Sequence, residues 1–377
     1  GPNLGARQAA AMVARWRRPC HDGAMLARLT AVLLALAPPA GAEVFTFPAP
    51  SGAAGDELVI YSSLDERLAL PLIEGFQEQH PDVAVRYEDL LTGEINARII
   101  AETDAGGTTA DLAFSSAMDL QVKLANDGYA RETEVEASAG WPRWANWRNM
   151  AYAMTFEPAV LVYHKPSFAG RPPPATRFEL LDWLRQGGAA VQGRIGTYDI
   201  ERSAVGYLFL ARDQEHFADI WTLVGAMGKA GVQQFPTSQE ILERVSDGRL
   251  AVGYNILGSY AADWARQHPD VGLVLPHDFT VVVSRVALVP RAARRADLGA
   301  LFLGYFMSRA GQTILAEKLR LPAVSLEVSD DNSARTMQEA LGAQLRPVPV
   351  SPGVLVYLDQ AKRARLIARW KSAIAGN

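Results

Sequence analysis

The feature that most restricts the fold of this chain is the alternation of short apolar runs with amphipathic helical patterns between residues 57 and 114. Runs with β-branched or aromatic members predict strands at 57–61, 83–87 and 111–114, and apolar residues at helical spacing predict helices at 64–79 and 94–103. Parallel strands need long crossover connections, so strands that alternate with helices form a parallel sheet. The sequence therefore predicts an α/β fold.

A second region of the same kind follows, and two long extended stretches at 150–163 and 271–290 flank it. This arrangement, in a chain of 377 residues, predicts two lobes, each a mostly parallel sheet flanked by helices, joined by hinge strands. The predicted divisions are lobe 1 at 57–155 and 280–330, lobe 2 at 156–279, and a C-terminal helical segment at 331–377 that packs on the lobes.

The N-terminal residues have the three parts of a secretory signal peptide. Arg28 precedes an apolar run at 29–37, and a small-residue cleavage site follows at 40–42. We predict that residues 1–42 are an N-terminal extension and signal peptide, and that 43–56, rich in Pro, Gly and Ala, form a flexible leader. Cleavage removes the only cysteine and leaves a net charge of −8, which indicates a periplasmic protein.

Composition and motifs exclude several classes of function. A net charge of −4 without a basic face predicts no nucleic-acid partner. The chain lacks a Walker A loop, a Gly-x-Ser-x-Gly elbow and a His-Glu-x-x-His motif, so no catalytic residues and no enzyme activity are predicted. Its histidines have no metal-ligand spacing, and we predict no metal site and no cofactor.

Small and hydroxyl side chains follow the predicted strands in both halves of the chain, just before predicted helices. Ligands of open α/β sheets bind beyond the carboxyl ends of the strands, where free amides of helix N-termini favour an anion. Arg202 could add a bidentate contact to such an anion. The predicted ligand-binding residues are Ser62, Ser63, Thr92, Ser115, Ser116, Ala117, Thr197, Arg202, Ser203, Asn255, Ser259 and Tyr260.

The same residues admit a purely structural interpretation. Serine and threonine are common helix N-caps, so each hydroxyl taken alone can serve its own helix. Arg202 can be a solvated charge or a member of an ion pair, and Tyr260 can be a core aromatic with an exposed hydroxyl. Only the repetition of such residues in both halves favours a binding site.

The order of the segments resembles the periplasmic solute-binding proteins of ABC importers, in the group that includes ferric-ion, sugar-phosphate and phosphonate binders. The matching stretches are LVIYSS at 58–63, PLIEGF at 71–76, DLAFSSAMDLQVKLANDGYA at 111–130, GRIGTYDIERS at 193–203, DGRLAVGYN at 247–255 and the helix near Gly311. The resemblance implies the type II periplasmic binding fold, with two lobes that close on a ligand. The chain departs from the iron binders because Gly258-Ser259-Tyr260 stands where they have adjacent tyrosines, and ferric ion needs anionic oxygen ligands.

From the residues and the resemblance together, we expect a monomeric periplasmic protein that captures a small anionic organic solute, such as a phosphate ester, phosphonate or carboxylate. The expected partner is an ABC permease in the inner membrane. Two alternatives stay open at this point. One is a ferric-ion carrier that uses Tyr260 with an exogenous anion, and the other is a ligand-sensing partner of a membrane histidine kinase.

Overall fold

The computed structural model describes residues 42–377, so the predicted signal peptide lies outside the described residues, apart from Ala42. The strands are β1 (Glu43–Phe47), β2 (Glu57–Ser62), β3 (Ala84–Asp89), β4 (Leu112–Ser115), β5 (Asn146–Trp147), β6 (Ala151–Ala153), β7 (Glu157–His164), β8 (Ile195–Tyr198), β9 (Gln233–Phe235), β10 (Val252–Leu257), β11 (Val271–Val274), β12 (Thr280–Val283), β13 (Val286–Leu288) and β14 (Leu345–Pro347).

The α-helices alternate with these strands over most of the chain. They are α1 (Glu66–Gln79), α2 (Thr92–Asp104), α3 (Met118–Asn126), α4 (Arg177–Gln186), α5 (Ala204–His216), α6 (Ile220–Lys229), α7 (Ser238–Ser246), α8 (Gly258–Gln267), α9 (Ala296–Met307), α10 (Arg309–Glu317), α11 (Ala334–Leu341) and α12 (Gln360–Ala375). Within residues 42–377, none of the helices combines the length and apolar character that a membrane crossing requires.

The first lobe is built on a sheet with strand order β1-β3-β2-β4-β13-β6-β5. The strands β3, β2 and β4 are parallel to one another, and β1, β13, β6 and β5 add antiparallel pairs at the two sides. All four residues of β4 are buried because helices cover both faces of the sheet. Helix α1 packs Phe76 against Phe302 and Tyr305 of α9, with ring centroids 5.0 and 5.7 Å apart.

The second lobe is built on a sheet with strand order β14-β12-β7-β10-β8-β9, and β11 pairs with β7 beside this path. Strands β10, β8 and β9 are parallel, whereas β7 is antiparallel to its neighbours β10, β11 and β12. The predicted α/β fold with two lobes is therefore confirmed. The structure adds that parallel pairs link β3, β2 and β4 in the first sheet and lie toward the two ends of the second sheet, and that the strands which join the lobes pair antiparallel with their neighbours.

The two lobes are joined where β6 leads into β7 and where β12 leads into β13. These two crossings lie side by side, because the Met154 N–H donates to the Arg285 carbonyl at 2.9 Å and the Arg285 N–H donates to Thr155 Oγ1 at 2.8 Å. We call residues 154–157 and 283–285 the hinge. Each crossing is a short extended segment, which is the form that hinges between domains commonly take.

A third connection comes from residues 345–375, which we call the C-terminal strap. Its strand β14 pairs parallel with β12 of the second lobe, and the Val350 N–H then donates to the Trp144 carbonyl of the first lobe at 2.7 Å. A 3-10 segment at Pro352–Leu358 packs on α3 of the first lobe, and α12 packs on α6 of the second lobe. The strap therefore contacts both lobes.

Three predicted boundaries need correction. Residues 43–47 are a strand rather than flexible leader, because Phe45 and Phe47 alternate with outward residues and cover the exposed edge of β3. Strand β12 belongs to the second lobe, since its backbone pairs with β7, so the lobe boundary lies near 284 and not at 280. The segment 331–377 is not wholly helical, because β14 joins the second sheet.

Candidate functional site

A cleft of about 340 Å³ lies between the lobes, at the hinge, and both lobes contribute to its walls. The wall from the first lobe consists of Thr92, Ser116, Ala117, Met118 and Asp119. The wall from the second lobe consists of Arg202, Ser203, Ala204, Val205, Leu208, Pro236, Leu257 and Tyr260. The hinge contributes Glu157, Val283, Ser284 and Arg285. This volume lies within the range of small-molecule pockets, roughly 300–1,000 Å³.

The first-lobe wall is formed by the starts of two helices that follow sheet strands. Thr92 is the first residue of α2, and Ala117 is the residue before α3, separated from the end of β4 by Ser116 alone. The Ser116 N–H donates to Ser63 Oγ at 3.0 Å, which fixes the loop and leaves the Ser116 side chain exposed at the cleft. Both helices therefore present their N-terminal turns, which carry a partial positive charge, toward the cleft.

Two further helix starts form the wall of the second lobe. Ser203 caps α5 by accepting a hydrogen bond from the Gly206 N–H at 3.1 Å. A side chain at Gly206 would place its Cβ 2.4 Å from the Cβ of Tyr198, so glycine lets the first turn of α5 lie against β8. The Leu257 N–H donates to the Tyr198 hydroxyl at 3.0 Å, which holds the start of α8, and Tyr260 lies in that first turn.

The charged centre of the cleft is the buried pair Arg285 and Glu157 of the hinge, whose side chains are only 5% and 2% exposed. Glu157 accepts hydrogen bonds from Thr155 Oγ1 and Ser259 Oγ, both at 2.7 Å. Arg285 donates from Nη2 to Glu157 at 3.4 Å and to the Tyr260 hydroxyl at 3.3 Å. Glu157 is thus well bonded, whereas the bonds from Arg285 are long.

Arg285 and its neighbour Ser284 keep unused hydrogen-bonding capacity. The Arg285 Nε lies 3.2 Å from Glu157 Oε2 without the alignment of a hydrogen bond, and among the described residues Ser284 Oγ also has no partner. Burial alone lowers the pKa of Arg285, but Glu157 and Tyr260 more than offset this and raise it, so the guanidinium is charged. Buried donors without partners are rare, and a bound solute would satisfy them here.

Asp119 is the acidic group of the first-lobe wall. Its Oδ1 accepts a hydrogen bond from the Leu120 N–H at 2.8 Å, and it forms no ion pair among residues 42–377. Burial raises the pKa of Asp119, and its hydrogen bonds with backbone N–H groups offset only part of this shift. The carboxylate lies at the start of α3, where it neutralises the partial positive charge of that helix end.

The structure brings six of the predicted ligand-binding residues together in the cleft, from both lobes. These are Thr92, Ser116, Ala117, Arg202, Ser203 and Tyr260. Arg202 is exposed and forms no ion pair among the described residues, and Tyr260 is 45% exposed. Ser63 is not in the cleft lining, and its hydroxyl accepts a hydrogen bond from the Ser116 N–H at 3.0 Å and donates one to Ser116 Oγ at 3.4 Å.

The other predicted residues lie outside the cleft lining, because their side chains are used within the protein. The hydroxyls of Ser62 and Ser115 accept hydrogen bonds from the N–H groups of Leu64 and Ala117, two residues later. Serine side chains commonly form such local bonds in turns. Thr197 donates to the Tyr254 carbonyl, and Ser259 donates to Glu157.

Asn255 also lies outside the cleft lining. It has a φ of 57° at an irregularity of β10 and donates to Asp213. The left-handed backbone of this asparagine breaks the regular pairing of β10 with β7 just before α8 begins. The structure thus places these five residues outside the cleft lining with their side chains bonded within the protein, and their direct contact with a ligand stays a prediction. They are Ser62, Ser115, Thr197, Asn255 and Ser259.

Four polar residues of the cleft escaped sequence reasoning: Asp119, Glu157, Ser284 and Arg285. Glu157 and Arg285 are 128 positions apart, and no local pattern marks either. The one available signal was their position in the two extended stretches already predicted to connect the lobes. Across the described part of the chain, His, Cys, Asp and Glu side chains do not gather in groups of three or more that could hold a metal ion.

Comparison with known proteins gives a family match and similar structures. Residues 58–318 match the family model described as bacterial extracellular solute-binding protein. The chain is similar to the substrate binding protein of the ABC transporter from Agrobacterium tumefaciens, with 65% identity, a TM-score of 0.78, and coverage of 89% of this chain and 99% of that chain. The comparison with curated proteins gave no match.

Two more distant structures share the fold. The periplasmic binding protein AfuA from Actinobacillus pleuropneumoniae, with exogenous fructose-6-phosphate bound, has a TM-score of 0.65 at 17% identity, with coverage of 85% of this chain and 99% of that chain. Iron-bound HitA from Pseudomonas aeruginosa has a TM-score of 0.61 at 16% identity, with the same two coverages. One fold thus accommodates ligands of opposite charge, so the ligand class has to be argued from the cleft itself.

Proposed function

The chain belongs to the bacterial extracellular solute-binding proteins and is the substrate-binding component of an ABC transporter, and from this premise we propose that it captures a small anionic organic solute in the cleft between its lobes. Membership of the family implies a small solute, a permease partner and a location outside the cytoplasmic membrane. The resemblance inferred from the sequence is confirmed, as is the expectation that the chain is not an enzyme.

The observation that carries the proposal is the convergence of four helix starts and a buried guanidinium on one cavity. Thr92, Ala117, Ser203 and Tyr260 lie in or next to the first turns of α2, α3, α5 and α8, and Arg285 lies at the hinge. Free N–H groups at helix N-termini attract anions, and a guanidinium adds charge-assisted hydrogen bonds. Three of these starts carry no carboxylate in the cleft lining, so they are available to an anion.

The rest of the lining supports an organic solute rather than a bare inorganic ion. Val205, Leu208, Leu257 and Val283 offer apolar surface beside the charged centre. Burying a few methylene groups against such surface contributes about 0.8 kcal/mol each. Together with two or three charge-assisted hydrogen bonds of about 1.5–3 kcal/mol each, this approaches the roughly 8 kcal/mol of a micromolar complex.

We propose that the solute stabilises a closed arrangement of the lobes. A ligand that contacts Ser116 on one lobe and Tyr260 on the other binds both only when the walls are close together. Such a ligand shifts the population toward the closed form by its differential affinity for that form. Closure would bend the hinge at residues 154–157 and 283–285, where each crossing is a short extended segment.

The ferric-ion alternative receives less support from the same residues. Tyr260 is the one phenol in the cleft lining, and its hydroxyl accepts a hydrogen bond from the charged Arg285. A cation at this position would be repelled by that guanidinium. A ligand-sensing role beside a membrane histidine kinase uses the same closed complex, and nothing in the cleft favours it over transport.

Calorimetry and small-angle X-ray scattering together test the proposal. The probes are propylphosphonate, ethyl phosphate, butyrate, and ferric citrate as the iron source, each titrated into protein that was unfolded and refolded to remove bound solute. We expect at least one organic anion to bind with micromolar affinity and to reduce the radius of gyration. Binding of iron with a visible phenolate absorption band, and no binding of any organic anion, would contradict the proposal.

A further inference from the structure

The two walls of the cleft carry opposite charges that do not neutralise each other. The first-lobe wall holds Asp119 as its only charged side chain in the lining, whereas the second-lobe wall holds Arg202, and Arg285 lies at the hinge. Among residues 42–377, neither Asp119 nor Arg202 forms an ion pair. Glu157 is the remaining acid, and its carboxylate is engaged by three donors of the protein.

Asp119 differs from an ordinary acidic residue in the first turn of a helix. Asp297 is the second residue of α9 as Asp119 is of α3, and it lies on the surface in an ion pair with Arg295 at 2.7 Å, which lowers its pKa. Asp119 instead lines a cavity without a cationic partner, and burial raises its pKa. A partly buried carboxylate without a counter-charge costs free energy in the empty protein. A cationic group of the solute would compensate for it.

The placement of Asp119 also directs where an anion can bind. Its carboxylate repels an anion from the start of α3, so the negative group of a solute is directed toward Arg285, Ser284 and the start of α8. The cavity of about 340 Å³ is small for a ligand pocket, so a solute bound at Arg285 extends toward the first-lobe wall. The group that meets Asp119 should then be a hydrogen-bond donor with positive charge.

We propose that the solute is dipolar, with an anionic group at Arg285 and an ammonium group that binds Asp119. This inference rests on the proposed function and names the substrate class of the same cleft. The apolar residues Val205 and Leu208 lie in the same lining and would contact the carbon chain between the two groups. A plain anion of equal length would leave the Asp119 carboxylate without a partner and would therefore bind more weakly.

Matched pairs of probes test the inference by calorimetry. The pairs are propylphosphonate with 3-aminopropylphosphonate, ethyl phosphate with phosphoethanolamine, and butyrate with 4-aminobutyrate. In at least one pair we expect the amino compound to bind tenfold or more tightly than its plain counterpart. Asp119→Asn should reduce this ratio to about twofold, whereas the control Asp297→Asn, which changes the equivalent helix position on the surface, should leave it intact.

The outcomes separate the inference from the proposed function. If plain anions bind as tightly as their amino counterparts, or if Asp119→Asn leaves the ratio of the two affinities unchanged, the inference is wrong. The proposed function as an anion-binding protein is then unaffected. If none of the six probes binds and scattering shows no closure, both fail. A melting temperature of Asp119→Asn no lower than that of the unsubstituted protein would establish that a changed ratio reports lost recognition and not lost folding. The isosteric asparagine keeps the acceptor for the Leu120 N–H.

Discussion

Arg177 and Arg285 are both buried, yet they are held very differently. In the second lobe, Arg177 donates to Asp213 at 3.0 Å, to Asp278 at 3.2 Å, to the Phe279 carbonyl at 2.8 Å and to the Tyr254 hydroxyl at 3.0 Å. All three guanidinium nitrogens are used, and the group also lies 3.6 Å from the centre of the Phe279 ring.

Among residues 42–377, the guanidinium of Arg285 forms only two hydrogen bonds, both long, and its Nε is not aligned with an acceptor. Both arginines have their pKa raised, because the neighbouring carboxylates outweigh the effect of burial. Charge and burial therefore do not distinguish a structural arginine from one that can bind a ligand. The distinction lies in how completely the protein itself satisfies the donors.

The largest effect that this comparison predicts is on folding, from Arg177→Met. The change leaves Asp213, which is fully buried, without its counter-charge, and breaking a buried pair in this way costs about 3–5 kcal/mol. Urea unfolding of the variant measures this loss in the free energy of unfolding. Arg202→Met, which removes an exposed arginine of the same lobe, is the control and should change stability by less than about 0.5 kcal/mol. A loss below about 1 kcal/mol for Arg177→Met would show that the network is not essential to the lobe.

The next effect is on binding, from the double variant Arg285→Gln with Glu157→Gln. Replacing both charges avoids a buried unpaired carboxylate, so the protein should remain folded. Loss of one or two charge-assisted hydrogen bonds should weaken the affinity for the tightest organic anion about 10- to 150-fold, as measured by calorimetry. The surface pair Arg335 and Glu339, changed in the same way, supplies the control. If the hinge variant binds the anion as tightly as the unsubstituted protein does, Arg285 does not contribute to binding.

The smallest effect concerns the two aspartates that occupy equivalent helix positions. Burial raises the pKa of Asp119 in the folded protein, so its charge is unfavourable above the folded pKa and costs nothing below the ordinary value of about 3.9. Arg295 lowers the pKa of Asp297, so that charge stabilises the fold above about 3.9 and this contribution is lost as the pH falls through the folded pKa.

Without ligand at pH 7, Asp119→Asn should therefore raise the melting temperature slightly, whereas Asp297→Asn should lower it. The corresponding changes in the free energy of unfolding should both be below about 1 kcal/mol and should become smaller toward pH 3. Thermal unfolding followed by circular dichroism between pH 3 and 7 measures them. If Asp119→Asn destabilises the protein as much as Asp297→Asn does, Asp119 is only a helix-terminal charge, and the case for a dipolar solute weakens.

The fold was largely predictable because its signals are local. The apolar runs at 57–61 and 111–114 and the helical spacing between them lie within short windows, and the structure has strands and helices there. The composition of residues 43–56, rich in Pro, Gly and Ala, conceals the strand at 43–47, although Phe45 and Phe47 alternate with outward residues as strand residues do. Strand β14 could not be predicted, since three residues gain a partner only when β12 folds beside them.

The site was only half predictable, for a physical reason that its serines illustrate. A hydroxyl after a strand can serve its own helix or a ligand, and the sequence is the same in both cases. Ser115 bonds the Ala117 N–H, whereas Ser116, the next residue, is exposed at the cleft. Arg285 depends on a contact with Glu157 across 128 positions, and Asp119 looks like any acid in a first turn.

The C-terminal strap has a consequence for how the lobes can move relative to each other. Two adjacent crossings would permit one lobe to twist as well as bend against the other. The strap adds a third tie, from β12 through β14 to Trp144, and twisting would have to break hydrogen bonds along it. The strap would therefore favour a simple bending of the closure that we propose over a twist, and would limit how far the cleft can open.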